Sequence, residues 1–175
     1  KHNVENAAAA TAVCLKCGIA AEEISSALET YRGVKRRFEF VLEGKIVYID
    51  DYAHHPEEIA ACIATAKSLY PDRKLTGIFQ PHLFSRTRDL ADAFAGSLEA
   101  LDEVILLDIY PAREKPIEGV DAGMLLDKIK LKAKSICSKD ELPEIIGRKK
   151  PELLLSMGAG DIDRLVEPIK ERLMK

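Results

Sequence analysis

Residues 45–80, KIVYIDDYAHHPEEIAACIATAKSLYPDRKLTGIFQ, decide the fold. KIVYIDD runs β-branched and apolar and ends in two carboxylates. Pro56 then opens PEEIAACIATAKSLY, a helix with proline in its first turn. KLTGIFQ is a second apolar run, a buried strand that ends at Pro81. A strand, a covering helix and another strand form the unit of a parallel sheet. Downstream the alternation continues. TRDLADAFAGSLEAL (87–101) is a helix and EVILLDIY (103–110) a strand. Asp121–Lys130 is a helix, KSICS (134–138) a short strand, ELPEIIGRKK (141–150) a helix and ELLLSMG (152–158) a strand. The closing helix covers 161–175, where Pro168 is expected to bend or interrupt the regular pattern.

Upstream, RFEFVLEG (37–44) pairs with KIVYIDD as a β-hairpin turning at Glu43-Gly44. Before it come two helices, 2–16 and 21–31, stopped by Gly18 and Gly33. They have no strand of their own to cover and read as the last pieces of a preceding domain, with Lys1 as a cut rather than a true start. The boundary is expected between 1–33 and 34–175. The whole is an α/β chain: a doubly wound, mostly parallel sheet with an initial β-hairpin, preceded by two helices.

The 175 residues are 47% hydrophobic and 31% charged, the balance of a globular protein. A net charge of −3 argues against a broad nucleic-acid or membrane surface. No apolar run approaches the roughly 20 residues needed to cross a bilayer. Cys14 and Cys17 form C-x-x-C, but inside an Ala-rich helical stretch and without a second pair to complete a zinc site. The four cysteines therefore read as inert thiols in a reducing cytoplasm.

The residues that could carry chemistry cluster after strands, where doubly wound sheets bind ligands. Asp50 and Asp51 end one strand; a carboxylate there suits ribose hydroxyls, a metal or a plain turn. His54 and His55 open the next helix and, being adjacent, point apart, which argues against both binding one metal; one of them faces a pocket at the helix N-terminus, or each is an ordinary surface histidine. Gln80-Pro81-His82 and Ser85-Arg86-Thr87-Arg88 follow a buried strand at a helix start, a good place for an anion or for ordinary capping. Gly158-Ala159-Gly160-Asp161 joins the last strand to the last helix, as a ligand-approaching loop or a tight turn. Before the sheet, Arg36-Arg37 suits phosphate oxygens or solvent. Asn3 and Asn6 share one helix face beside His2, and an Asn amide matches an adenine edge as well as it caps a helix. No G-x-x-x-x-G-K-[ST] phosphate loop occurs in these residues.

Taken in order, H-N-x-x-N-A, K-R-R-F-E, D-D-Y-A-H-H-P, F-Q-P-H-x-x-S-R-T, D-x-Y-P-A-R-E-x-P-I-x-G-V and S-M-G-A-G-D-I resemble the Mur ligase family from His2 to Asp163. The resemblance implies the Rossmann-like C-terminal domain of an ATP- and Mg²⁺-dependent ligase that forms an amide through an acyl phosphate. The metal ligands and phosphate loop are then expected in a central domain outside these residues, with no metal site here. Within the family, DDYAHHP with QPHLFSRTRD is similar to the member that joins L-alanine to UDP-N-acetylmuramate; a murein tripeptide-recycling ligase is the neighbouring alternative. By the same resemblance, His2, Asn3 and Asn6 lie at adenine, Arg37 and Asp51 contact the nucleotide and its ribose, and His54, His82 and Arg86 line the catalytic cleft. Leu83 departs from relatives, which often carry Arg there. The resemblance implies neither nucleic-acid nor membrane partners. From a different class, a metal-dependent phosphoesterase would use Asp50, Asp51, His54 and His55 as ligands.

Overall fold

A computed structural model describes residues 2–31 and 33–175, with the side chains of His2 and Asn3 outside the described set. The chain divides into two compact units, Lys1–Val34 and Lys35–Lys175. In the first, α1 (His2–Lys16) and α2 (Ala21–Thr30) follow one another, with Gly18 at φ +82° turning the chain between them. Among its described residues only Ile24 is buried, while Val4, Val13, Leu15, Leu28 and Tyr31 are exposed.

The second unit is a six-stranded sheet between two helical layers. β1 (Glu39–Leu42) pairs antiparallel with β2 (Val47–Asp51), the expected hairpin, with an irregularity between Phe40 and Leu42. β3 (Leu75–Phe79), β4 (Glu103–Leu106), β5 (Lys134–Ile136) and β6 (Leu153–Met157) complete the sheet in the order β1-β2-β6-β3-β4-β5. All pairs but the hairpin are parallel. The last strand lies between β2 and β3, so Asp51 and Phe79 both pair with Met157 and the strands end level.

Side-chain alternation divides the core. Val47 and Ile49 of β2 join Leu153, Leu155 and Met157 of β6 beneath α3 (Pro56–Leu69), α5 (Ala91–Leu98) and α6 (Ala122–Lys128). Tyr48 and Leu154 face the other way, beneath α7 (Leu142–Lys149) and α8 (Val166–Leu173). Each fully buried Leu or Ile contributes about 1.5–3 kcal/mol of transfer free energy, so the sheet is stabilised from both sides.

Three elements differ from the sequence reading. The helix expected at 87–101 begins earlier and is two helices, α4 (Phe84–Asp89) and α5, separated at Leu90, which packs on the core from the junction. The strand expected at 103–110 stops at Leu106; beyond it only Tyr110 bridges, to His82. The closing helix starts as a 3-10 turn (Asp161–Leu165) and becomes α-helical from Val166. Pro168 thus sits in a first turn, where its missing N–H has no intrahelical acceptor to lose.

One polar network crosses the α7–α8 face. Asp50, only 1% exposed, accepts from Ser156 Oγ and from Arg36 Nε at 3.2 Å. The Ser156 hydroxyl also meets Tyr48 Oη at 3.0 Å, and Arg36 Nη2 donates to the Gly158 carbonyl. Burial raises the Asp50 carboxyl above its usual range, against the opposing pull of Ser156 and Arg36. Arg36→Leu leaves that carboxylate buried without its cation, and urea denaturation is expected to show a loss of about 3 kcal/mol. An acid with a raised folded-state pKa contributes stability below its unfolded pKa and loses it as pH rises through the folded one. Removing Arg36 raises that pKa further, so the deficit should be smaller near pH 5 than near pH 8; an equal deficit at both would mean that Asp50 is not the group affected.

Candidate functional site

Because β2, β3 and β6 end level, the segments that follow them meet along one edge of the sheet. Four rings form a row there. Tyr52 meets His54 edge-on at 5.2 Å, His54 meets His82 edge-on at 6.2 Å, and His82 stacks on Tyr110 at 5.6 Å. The row spans the ends of β2, β3 and β4, joining segments that lie far apart in the chain.

Of the two adjacent histidines, His54 is the one in the row. Its Nδ1 lies 3.0 Å from the Tyr52 carbonyl and 3.3 Å from Glu58. His55 is exposed at the N-cap of α3. Glu58 ties the turn together by accepting from the backbone N–H groups of both, at 3.0 and 3.2 Å. Burial pushes the Glu58 carboxyl up, but these donors and the His54 ring outweigh it and hold it below the usual range.

His82 and Arg86 are brought together by an unusual turn. Leu83 has φ +73°, held by its N–H on the Tyr110 carbonyl at 2.9 Å and by Thr87, whose N–H and hydroxyl both donate to its carbonyl. This starts α4 at Phe84 and puts Arg86 within its first turn. Glu114 accepts from Ser85 N at 2.9 Å and from Ser85 Oγ, and these bonds hold its carboxyl below the usual range. Two buried side-chain nitrogens have no hydrogen-bond partner among the described residues: His82 Nδ1 and Arg86 Nη1. An unpaired buried donor or acceptor costs about 1–3 kcal/mol, so two in one place single it out as a candidate ligand site. Burial, then the charge of Arg86, depresses the His82 pKa below the ordinary imidazole value. Arg86 is half-buried rather than the freely exposed residue of a surface loop.

The glycine turn closes the edge. Gly158 N donates to the Asp51 carbonyl at 3.3 Å. Gln80, 1% exposed, donates to Asp161 at 2.8 Å and accepts from Ile162 N at 3.0 Å. Lys139 pairs with the other Asp161 oxygen at 2.7 Å.

The remaining residues expected at the site stand as follows. Arg37 is exposed, its guanidinium 5.5 Å from the Tyr52 ring centre. Asp51 accepts from Phe38 N and Ala53 N, each at 2.7 Å and each on a different oxygen, which leaves further lone pairs on both. Burial raises its carboxyl, against those two donors. Asn6 is exposed on α1, in the other compact unit; the side chains of His2 and Asn3 lie outside the described residues. The four ligands of a phosphoesterase do not assemble. Asp50 points to the opposite sheet face and is paired there, and no cluster of three His, Cys, Asp or Glu suited to a metal occurs among the described residues.

Residues 36–160 match the family described as Mur ligase, glutamate ligase domain. The chain belongs to the Mur ligase family. A UDP-N-acetylmuramate–L-alanine ligase of Parabacteroides distasonis is 51% identical over 176 residues, covering 100% of this chain and 38% of the relative. The solved UDP-N-acetylmuramate-alanine ligase of Thermotoga maritima superposes with a TM-score of 0.79 at 32% identity, over 99% of this chain and 38% of that one. A murein peptide ligase from Psychrobacter arcticus superposes at 0.67 with 23% identity, over 98% of this chain and 37% of that one, which speaks for the fold alone. This Mur ligase chain thus spans well under half of the relatives it matches.

Reading the motifs singly missed Tyr110, Glu114 and Glu58. The first two lie in the quoted D-x-Y-P-A-R-E segment, but their contacts reach back to His82 and Ser85 and have no local signature. Asp51→Ala removes the acceptor of two backbone donors. It should therefore destabilise this chain by about 1–3 kcal/mol in urea denaturation, even with no nucleotide present. An unchanged midpoint would mean that the two bonds contribute nothing to folding.

Proposed function

We propose that this chain is the C-terminal part of an ATP-dependent acid–amino-acid ligase, which joins L-alanine to UDP-N-acetylmuramate in the cytoplasm during peptidoglycan synthesis. Residues 1–33 are then the last helices of the central ATP-binding domain and 34–175 the C-terminal domain. The observation that carries the reading is the pair of unpartnered nitrogens, Arg86 Nη1 and His82 Nδ1, beside His54 at the strand ends. Similarity over the whole chain to a ligase named for L-alanine supports this substrate over a tripeptide.

Each residue has a physical role in this reading. The Arg86 guanidinium holds a carboxylate or phosphate oxygen in a planar fork, where developing negative charge is best stabilised by a donor already in place. His82 and His54 orient the incoming amino acid and can accept or donate a proton. Arg37, exposed on the Tyr52 ring, fits a phosphate, and the free lone pairs of Asp51 fit ribose hydroxyls. Asn6, with Asn3 and His2, would meet adenine. ATP supplies the phosphoryl group that activates the carboxylate, and the Mg²⁺ ligands belong mainly to residues outside this chain.

Two tests follow. The purified 175-residue chain, which has no phosphate loop, should show no alanine ligation on its own, and contaminant-free turnover would overturn the reading. In the full-length enzyme, Arg86→Lys should lower kcat/KM by about tenfold to a hundredfold and Arg86→Ala by more, because Lys keeps the charge but not the fork. Melting temperatures should not fall, since the substitutions remove an unpaired buried donor rather than a bond. Near-normal alanine kinetics in Arg86→Ala would remove this residue from the site.

A further inference from the structure

We propose that Tyr110 is a positioning residue for His82, braced from behind by the bare backbone of Gly160. Tyr110 stands beyond the end of β4 and is locked to the β3 end by a parallel bridge with His82. Its N–H donates to the Pro81 carbonyl at 2.8 Å, and its carbonyl accepts from Leu83 N at 2.9 Å. With both backbones fixed, the two rings lie nearly face to face, 5.6 Å apart and 26° from parallel. His82 Nδ1 makes no hydrogen bond that could orient the ring. A functional histidine is usually held through its second nitrogen. Here the flat contact with Tyr110 does that work and leaves Nδ1 without a partner among the described residues.

The other side of Tyr110 explains Gly160. At φ −85° this glycine has a backbone that any residue can adopt, so its identity answers to space rather than to conformation. A Cβ there would stand 2.7 Å from both Cβ and Cγ of Tyr110 and 2.4 Å from Gln80 Oε1. Neither neighbour can yield cheaply. Gln80 is pinned by Asp161 and Ile162, and Tyr110 by its two backbone bonds. A side chain at 160 would push the Tyr110 ring toward His82 or break the Gln80 brace. The glycine turn after β6 thus reaches the proposed catalytic imidazole through one intervening ring.

The kinetic part of this inference rests on the ligase reading; the geometric part does not, and the experiment separates them. The His82 pKa is measured by NMR in this chain, where burial, Arg86 and His54 depress it and Glu114 opposes them. Tyr110→Ala hydrates the ring and should raise that pKa toward the ordinary imidazole value; Tyr110→Phe, which keeps the ring, should not. Gly160→Ala, which leaves residue 110 a tyrosine but displaces its ring, should also shift the His82 ring resonances. In the full-length enzyme, Tyr110→Ala should lower kcat by about tenfold to a hundredfold with KM for ATP within about twofold, and Tyr110→Phe should restore most of the loss. His82 signals unmoved in both Tyr110→Ala and Gly160→Ala would overturn the proposal. Should Tyr110→Ala fail to fold, Gly160→Ala decides alone. A His82 shift in an enzyme whose wild type ligates no alanine would leave Tyr110 in its positioning role and discard the ligase reading.

Discussion

Strand β6 governs this molecule because both of its edges are used. Each residue from Leu153 to Met157 has a partner in β2 and another in β3, and all five are buried. A segment near the end of the chain is therefore wedged between two strands, Val47–Asp51 and Leu75–Phe79, from much earlier in the chain. Its register sets Asp51, Met157 and Phe79 in one row, so the loops that leave these strands start side by side. The ring row from Tyr52 to Tyr110 exists only because of that alignment.

Two polar clusters flank β6, and they treat burial in opposite ways. On the α7–α8 face, Asp50 is matched by Ser156 and Arg36, and Arg36 also holds the Gly158 carbonyl. That cluster is closed. It ties the entry of the chain into the second unit to the turn after β6. At the strand ends, His82 and Arg86 each keep a buried nitrogen without a partner among the described residues. Folding alone would not favour this arrangement, because each unmade bond costs free energy. The strained Leu83 turn adds to the cost, and non-glycine residues at positive φ concentrate where function over-determines the backbone. In the proposed ligase reading that cost has a purpose, since a site that receives an anion cannot satisfy its own donors beforehand.

Carboxylates do the quieter structural work around that site. Glu58 gathers the N–H groups of His54 and His55, Glu114 gathers the N–H and hydroxyl of Ser85, and Asp51 gathers the backbone N–H groups of Phe38 and Ala53. Each fixes a turn by holding two donors at once. Read from spacing, the same residues pass for solvated charges or turn formers, since nothing local marks their partners.

The sequence by itself determined the elements and the inventory. The strand–helix–strand reading of 45–80, the hairpin before it, the alternation after it and the ordered motifs all depend on periodicity and side-chain chemistry within a few residues. Such signals survive in the folded state because local backbone preference and tertiary packing agree there. Only the tertiary structure decided which strands became neighbours, that Arg36 rather than Arg37 would be the half-buried guanidinium paired with Asp50, that His54 rather than His55 would enter the row, and that the helix after His82 would break at Leu90. It also decided that Tyr110 and Gly160 would meet. These outcomes rest on contacts between residues dozens to more than a hundred positions apart. Their partners become visible only once β6 has closed the sheet.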